Sequence, residues 1–239
     1  MKSSNYCAGI GCVIMKFARA SEDVAATRML EQLRMIQIYN RGDNLFQQHD
    51  KPTGVHCVQS GNILLWHLDA FGIKTSFRVA GQGEMLGYRS LLGDDRHAAT
   101  AEALSQCRVC FYPKQKLEEL IYGDPILTRQ FFRLVARDRG PPDALMLRGQ
   151  HLPVRVRLVY LLLTTKDRHA ELRPDGSLVY RLPLSRKEIA SLIAAQPETV
   201  TRAIKALEND GIAQFYNRKV VVPDPAKLYE EARVEDLAE

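Results

Sequence analysis

The sequence lacks any apolar run long enough to cross a membrane. Its longest uninterrupted aliphatic and aromatic stretch is Leu158-Val159-Tyr160-Leu161-Leu162-Leu163, against the roughly 20 residues that a spanning helix needs, so a helical membrane protein is excluded. An even cysteine count is also missing. The five cysteines, at positions 7, 12, 57, 107 and 110, have no regular spacing, which argues against a disulfide framework and for reduced thiols in a cytoplasm. Internal repeats and low-complexity tracts are absent too. With 46% hydrophobic and 26% charged residues over 239 positions, the chain is composed like a globular protein that can bury a core without staples. Nor is there a strong charge of either sign: Lys+Arg 33 against Asp+Glu 28 leave a formal +5, which permits polyanion binding without requiring it.

What is present begins with an ambiguous N-terminus. Lys2, the mostly apolar Cys7 to Met15 and Ala18-Arg19-Ala20 have the outline of a secretory signal. Gly9 and Gly11 interrupt the apolar stretch, Lys16 ends it early, and Arg19 stands inside the cleavage motif. The expectation is therefore a cytoplasmic chain.

Two regimes follow. From about Ile38 to Pro113, short β-like stretches such as Val55 to Gln59, Asn62 to Leu68 and Thr75 to Val79 are broken by glycines at 42, 54, 61, 72, 81, 83, 87 and 93, which predicts an antiparallel jelly roll or barrel. After Pro113 the period becomes helical. Leu117, Leu120 and Ile121, then Ile126, Leu127, Phe131, Leu134 and Val135, predict helices over 114–122 and 124–139. Gly140-Pro141-Pro142 must interrupt the second, because an interior proline removes a donor and clashes with the preceding turn. Pro153 opens another helix, and Pro174-Asp175-Gly176-Ser177 reads as a turn before a short strand.

The most informative stretch is Leu184 to Val222. Ser185-Arg186-Lys187-Glu188 has the form of a capping box and predicts a helix start, with Ile189, Ala190, Leu192 and Ile193 as its apolar face. Pro197 begins a second helix. In it Val200, Ala203, Ile204 and Leu207 form one stripe and Glu198, Thr201, Arg202 and Lys205 another, since residues three and four apart share a face. Asp210-Gly211 ends the helix, and two β-like stretches follow, joined around Asn217-Arg218-Lys219. Helix, turn, helix and basic-tipped hairpin make a winged helix-turn-helix. Periodicity alone also allows an ordinary helix pair whose charged face merely meets water.

The stretch "LSRKEIASLIAAQPETVTRAIKALENDGI" resembles the DNA-binding motif of the CRP/FNR family of bacterial regulators. Upstream, "RGDNLFQQHD", "VQSGNILLW", "GQGEMLGYRSLL" and "HAATAEAL" resemble that family's cyclic-nucleotide-binding-like β-roll. The resemblance runs from about Ile38 to Pro223. It implies an α+β chain: an N-terminal tail over 1–24, an antiparallel β-roll sensor over 25–122, a dimerisation helix region over 123–152 broken at 140–142, and a winged helix-turn-helix over 153–239. The implied dimer would pack Phe131, Leu134, Leu145 and Met146 between subunits on either side of the break. By position, Arg202 would pair with a guanine edge and Glu198 accept from a cytosine amino group, while Thr199, Thr201 and Gln196 lie on the same reading helix. Pro197 stands where some members carry a further guanine-reading arginine. Ser185, Arg186, Lys205, Asn217, Arg218 and Lys219 are expected at phosphates, which position the protein without reading sequence.

For the sensor, the resemblance implies an effector pocket around Gly87, Tyr88, Arg89, Arg96 and His97. Members that bind cyclic AMP carry glycine-glutamate and arginine-serine pairs there. This chain has Gly87-Tyr88 and His97-Ala98, with Arg96 one place early, so cyclic AMP is not the expected effector. Gly81-Gln82-Gly83-Glu84 is a β-roll turn rather than a dinucleotide fingerprint, because no helix of a βαβ unit follows it. Oxygen-responsive relatives hold an iron–sulfur cluster on three N-terminal cysteines and one in the roll. Cys7, Cys12 and Cys110 match three such positions, and Cys57 or Cys107 would have to supply the fourth. A small buried thiol at Cys110 is the alternative. Haem on His49, His56, His67, His97 or His151 is another.

The function implied is a cytoplasmic, homodimeric transcription regulator and not an enzyme: an activator or a repressor that binds a pseudo-palindromic site in double-stranded DNA, contacts RNA polymerase, has no membrane partner and answers to an unidentified effector. The alternatives are a β-roll module acting through protein contacts, which predicts no salt-dependent DNA affinity, and a thiol hydrolase, for which no nucleophile motif is present.

Overall fold

Alternation along a single strand decides how the N-terminal half is built. In β3 (Gly54–Ser60) successive side chains point to opposite faces, so Val55 and Cys57 go one way and His56 and Val58 the other. In this computed structural model, which describes residue 14 and residues 24–93, 96–137, 152–165 and 170–232, β3 pairs antiparallel with β8 (Cys107–Pro113), setting Val55 against Tyr112, His56 against Phe111 and Cys57 against Cys110. The face carrying Val55, Cys57, Cys110 and Tyr112 packs with Leu30 of α1 (Val24–Leu33), Leu117 and Ile121 of α3 (Lys114–Gly123) and Phe131 of α4 (Pro125–Arg137) in one buried cluster. The opposite face looks into the roll, where His56 meets Phe46 of β2 (Asn44–Phe46) with ring centroids 5.6 Å apart.

Two four-stranded sheets make the roll. One runs β1 (Met35–Tyr39), β8, β3, β6 (Met85–Leu86); the other β2, β7 (Thr100–Ala103), β4 (Ile63–Leu68), β5 (Lys74–Ala80). The first strand thus begins at Met35, three residues before the sequence pattern suggests. The β3–β4 turn needs Gly61: its φ is +87°, and an added Cβ would stand 2.5 Å from Cys107 Sγ, so both backbone and packing reject a side chain. A short helix, α2 (Tyr88–Leu92), follows β6.

The side chain of Asp124 caps α4 by accepting from Ile126 N at 2.7 Å, with Pro125 just inside the helix start where its missing N–H does no harm. Leu127 and Phe131, four apart, share the face turned to Leu30, Leu117 and Ile121. This corrects the expectation for Phe131: it fills its own unit's core instead of packing between subunits, and its neighbour Phe132 is the one at the surface, 57% exposed, with Ile126 at 53%. Leu145, Met146 and the Gly140-Pro141-Pro142 break lie outside the described residues, as does the side chain of Leu134.

The chain divides into two compact units, Met1–Lys74 with Val79–Arg139, and Thr75–Arg78 with Gly140–Glu239. The C-terminal part orders as α5 (Val154–Thr165), β9 (Glu171–Leu172), β10 (Leu178–Arg181), α6 (Arg186–Leu192), α7 (Pro197–Asn209), β11 (Gln214–Tyr216), β12 (Lys219–Val222) and α8 (Pro225–Ala232). Its sheet runs β11-β12-β10-β9, all antiparallel. Leu158 and Leu162 of α5, Ile189 of α6, Val200, Ile204 and Leu207 of α7 and Val220 of β12 are its buried core. Tyr180 closes it by donating its hydroxyl to Leu162 O at 3.2 Å, and burial raises its pKa above the usual tyrosine range.

Candidate nucleic-acid interface

The first helix of the pair starts on a full capping box. Ser185 Oγ accepts from Glu188 N at 3.2 Å and Glu188 Oε2 accepts from Ser185 N at 2.5 Å, so two amides with no partner inside the helix are satisfied reciprocally. The second, α7, has Gln196 as N-cap and Pro197 at its start. Val200, Ala203, Ile204 and Leu207 are buried, which leaves Gln196, Glu198, Thr201, Arg202 and Lys205 exposed. The structure therefore brings these five to the open side of one helix. Thr199 is only half-buried and sits 3.5 Å from Arg202 Nη2 through its hydroxyl. The Thr201 hydroxyl donates back to Pro197 O at 2.9 Å, so its proton is already used within the helix.

The hairpin tip is more constrained than the sequence suggests. Tyr216 pairs with Lys219, so the loop is only Asn217-Arg218, with φ of 31° and 69°. A two-residue loop with both φ positive is the mirror-image turn that fits strand twist, and its second position normally takes glycine. Holding arginine there costs about 1–2 kcal/mol. Asn217, Arg218 and Lys219 are all exposed. Arg186, at the start of α6, lies with its guanidinium carbon 5.5 Å from the Phe215 ring centroid, and partial burial lowers its pKa, opposed by the nearby Glu208 carboxylate. Ser185, Arg186, Lys205 and the hairpin tip are thus solvent-facing hydroxyl, amide and cationic groups around the exposed side of α7.

The expected effector residues differ in exposure. Tyr88 is buried in the helix-side cluster, and its hydroxyl accepts from Arg89 Nε at 3.2 Å, while Arg89 itself is exposed. Arg96 is exposed and donates to His49 O at 2.8 Å. Gly87 and His97 do converge. A Cβ on Gly87 would lie 3.5 Å from His97 Cε1 and 3.7 Å from His56 Nδ1. His97 stacks on Phe46 at 4.0 Å, and His56 lies 4.9 Å from Phe111. His56 Nδ1 is buried without a hydrogen-bond partner. Burial, reinforced by His97, pushes the His56 pKa down to about 4; burial also lowers that of His97, with Asp50 opposing. Beside Gly87, then, two imidazoles whose pKa values burial lowers lie against phenyl rings. Haem apart, sequence reasoning gave His56 no role, yet the alternation Val55, Cys57 against His56, Val58 already separates it from the helix-packed face.

Cys110 and Cys57 are fully buried cross-strand neighbours. Cys107 lies within 3.4 Å of Asn62 O, and burial raises its pKa. Cys7 and Cys12 lie outside the described residues. Among the described residues no three histidine, cysteine or acidic side chains gather as a metal site, and no helix is long and apolar enough to cross a membrane. Two further side chains escaped the sequence pattern altogether: Arg155 and Arg157 of α5, which donate to groups at the C-terminal ends of α7 and α6 respectively.

Comparison with known proteins matches residues 36–124 to a cyclic nucleotide-binding domain model and residues 156–231 to a Crp-like helix-turn-helix domain model. The chain is 27% identical over 190 residues to the transcriptional activator protein FnrA of Stutzerimonas stutzeri, covering 79% of this chain and 76% of that one. It is 28% identical over 219 residues to the nitrogen fixation regulation protein FixK of Bradyrhizobium diazoefficiens, covering 91% and 90%. The crystal structure of FixK2 from Bradyrhizobium japonicum superposes with a TM-score of 0.71 at 22% identity, over 82% of this chain and 96% of that one.

Proposed function

Because the chain belongs to the CRP/FNR family of transcription regulators, we propose that two copies bind a pseudo-palindromic DNA site, each laying α7 in a major groove. The observation that carries this reading is the sided character of α7: one face is locked in the core while Glu198, Arg202 and Lys205 stand exposed beside a hairpin whose tip keeps arginine in a conformation that favours glycine. In this reading Arg202 donates to a guanine edge and Glu198 accepts from a cytosine amino group, with Gln196, Thr199 and Thr201 alongside. Ser185, Arg186, Lys205, Asn217, Arg218 and Lys219 hold phosphates. The exposed Ile126 and Phe132 on α4 support a dimer contact in the 123–152 region. The protein works in the cytoplasm, binds DNA rather than turning over a substrate, and contacts RNA polymerase as an activator.

The β-roll, taken as 25–122, is the sensor. An effector other than cyclic AMP is supported by Tyr88, which supplies no ribose-binding carboxylate, and by His56 and His97, whose pKa values burial lowers. A cluster on Cys7, Cys12 and Cys110 would need a thiolate beyond these three.

Arg218→Gly tests the reading because it separates fold from function. Glycine relieves the turn strain, so thermal stability is expected to rise by a few tenths to about 1 kcal/mol. Loss of a phosphate contact is expected to weaken binding to all duplexes alike and to lower the salt dependence by about one ion. Anisotropy titrations across a salt series check this; unchanged affinity and salt slope would remove the hairpin from the interface.

A further inference from the structure

The connection between α6 and α7 fixes the direction in which Glu198 and Arg202 point, and it is short: Ile193, Ala194 and Ala195 before the N-cap Gln196. It closes as a Schellman motif, with Ala195 N donating to Ala190 O at 2.8 Å and Ala194 N to Ser191 O at 3.2 Å. Such a motif places its C′ residue in the left-handed region, which suits glycine. Here that residue is Ala194, at φ +48°. The turn therefore carries strain, and its outward carbonyls, those of Ile193 and Ala194, have no partner inside the helix.

Both carbonyls are taken by one side chain. Arg157 Nη1 donates to Ile193 O at 2.5 Å and to Ala194 O at 3.0 Å. Arg157 Nε is buried beside this contact without a hydrogen-bond partner, so the two Nη1 bonds are what tie the group to the turn. Its base is rigid, because the next residue, Leu158, and Leu162 are fully buried in the domain core. A cation at the C-terminal end of α6 also meets the favourable sign of the helix dipole. On the proposed reading of α7 as the base-reading helix, we propose that Arg157 is a positioning residue for recognition: by clamping the strained turn it sets the angle at which α7 presents Glu198 and Arg202, and so governs sequence discrimination without touching DNA.

The test measures the ratio of affinities for a duplex enriched from a random pool by the wild-type protein and for a scrambled duplex of the same composition. A change in folded fraction lowers both affinities equally and leaves the ratio alone; a misdirected α7 lowers the first and spares the phosphate-driven second. Arg157→Met is expected to reduce the ratio about tenfold, roughly the loss of one good base contact. Arg157→Lys keeps the charge and a donor nitrogen and is expected to restore part of it, which also covers the case of a methionine variant that folds poorly. A wild-type protein with high discrimination beside methionine and lysine variants with the same ratio would overturn the positioning role alone. A wild-type protein with no discrimination would overturn the reading of α7 and this role with it.

Discussion

Arg202→Ala is expected to lower affinity for a cognate site by roughly ten- to a hundredfold, about 1–3 kcal/mol, while binding to random duplex barely changes. The fold gives no reason for any other loss. Arg202 lies on the exposed side of α7, opposite Val200, Ala203, Ile204 and Leu207, and its recorded contact is the marginal 3.5 Å approach to Thr199 Oγ1. Truncating it removes a donor pair that only a guanine edge would use bidentately, so the preference at that base pair should relax while neighbouring positions keep theirs. Titrating the variant against duplexes substituted one pair at a time checks this. Unaltered preference at every pair, with unchanged cognate affinity, would take Arg202 out of base reading.

Acidification from pH 6.5 to 4 is expected to remove about 3 kcal/mol of stability from the β-roll through His56 alone. The sign follows from the direction of the shift. Well above pH 6.5 His56 is neutral in both the folded and unfolded chain and contributes nothing pH-dependent. As the pH falls below the ordinary histidine value the unfolded chain takes up a proton first, while the folded site, with a pKa near 4, resists. Stability therefore declines across that window and levels off below about pH 4. Burial explains most of the resistance and the facing His97 adds to it as a cation when protonated, while Phe46 and Phe111 supply no counter-charge. Urea unfolding at several pH values, for the wild type and for His56→Phe, isolates the contribution from that of the carboxylates. The variant is expected to show the shallower acid slope; parallel slopes would contradict the assignment.

Much of the recognition domain was legible in the sequence because its signals are local. The capping box at Ser185 and Glu188, Pro197 at a helix start and the four-residue spacing of Val200, Ile204 and the pair Ala203, Leu207 act within one or two turns, and each is in place. The β-roll was legible as a class through its glycine-punctuated strands. Its interior was not, since which residues meet inside depends on register between strands far apart in sequence: His56 faces Phe111 from β8, Phe46 from β2 and, across Gly87, His97. The same limit hid Arg157, whose partners lie 36 and 37 residues away and are backbone carbonyls that no side-chain pattern announces. It also misassigned Phe131, because two adjacent phenylalanines both suit an apolar stripe, and only the packing of α4 against α1 and α3 decides which turns inward.

The most direct test of α7 as a base-reading helix in a symmetric dimer is enrichment of DNA from a random duplex pool by the purified wild-type chain, followed by sequencing. The expected outcome is an inverted repeat whose half-sites are centred about one helical turn apart, roughly 34 Å, each containing a G·C pair whose enrichment disappears with Arg202→Ala. A pool that leaves the protein without any enriched sequence, or with a motif that Arg202→Ala selects unchanged, would contradict it.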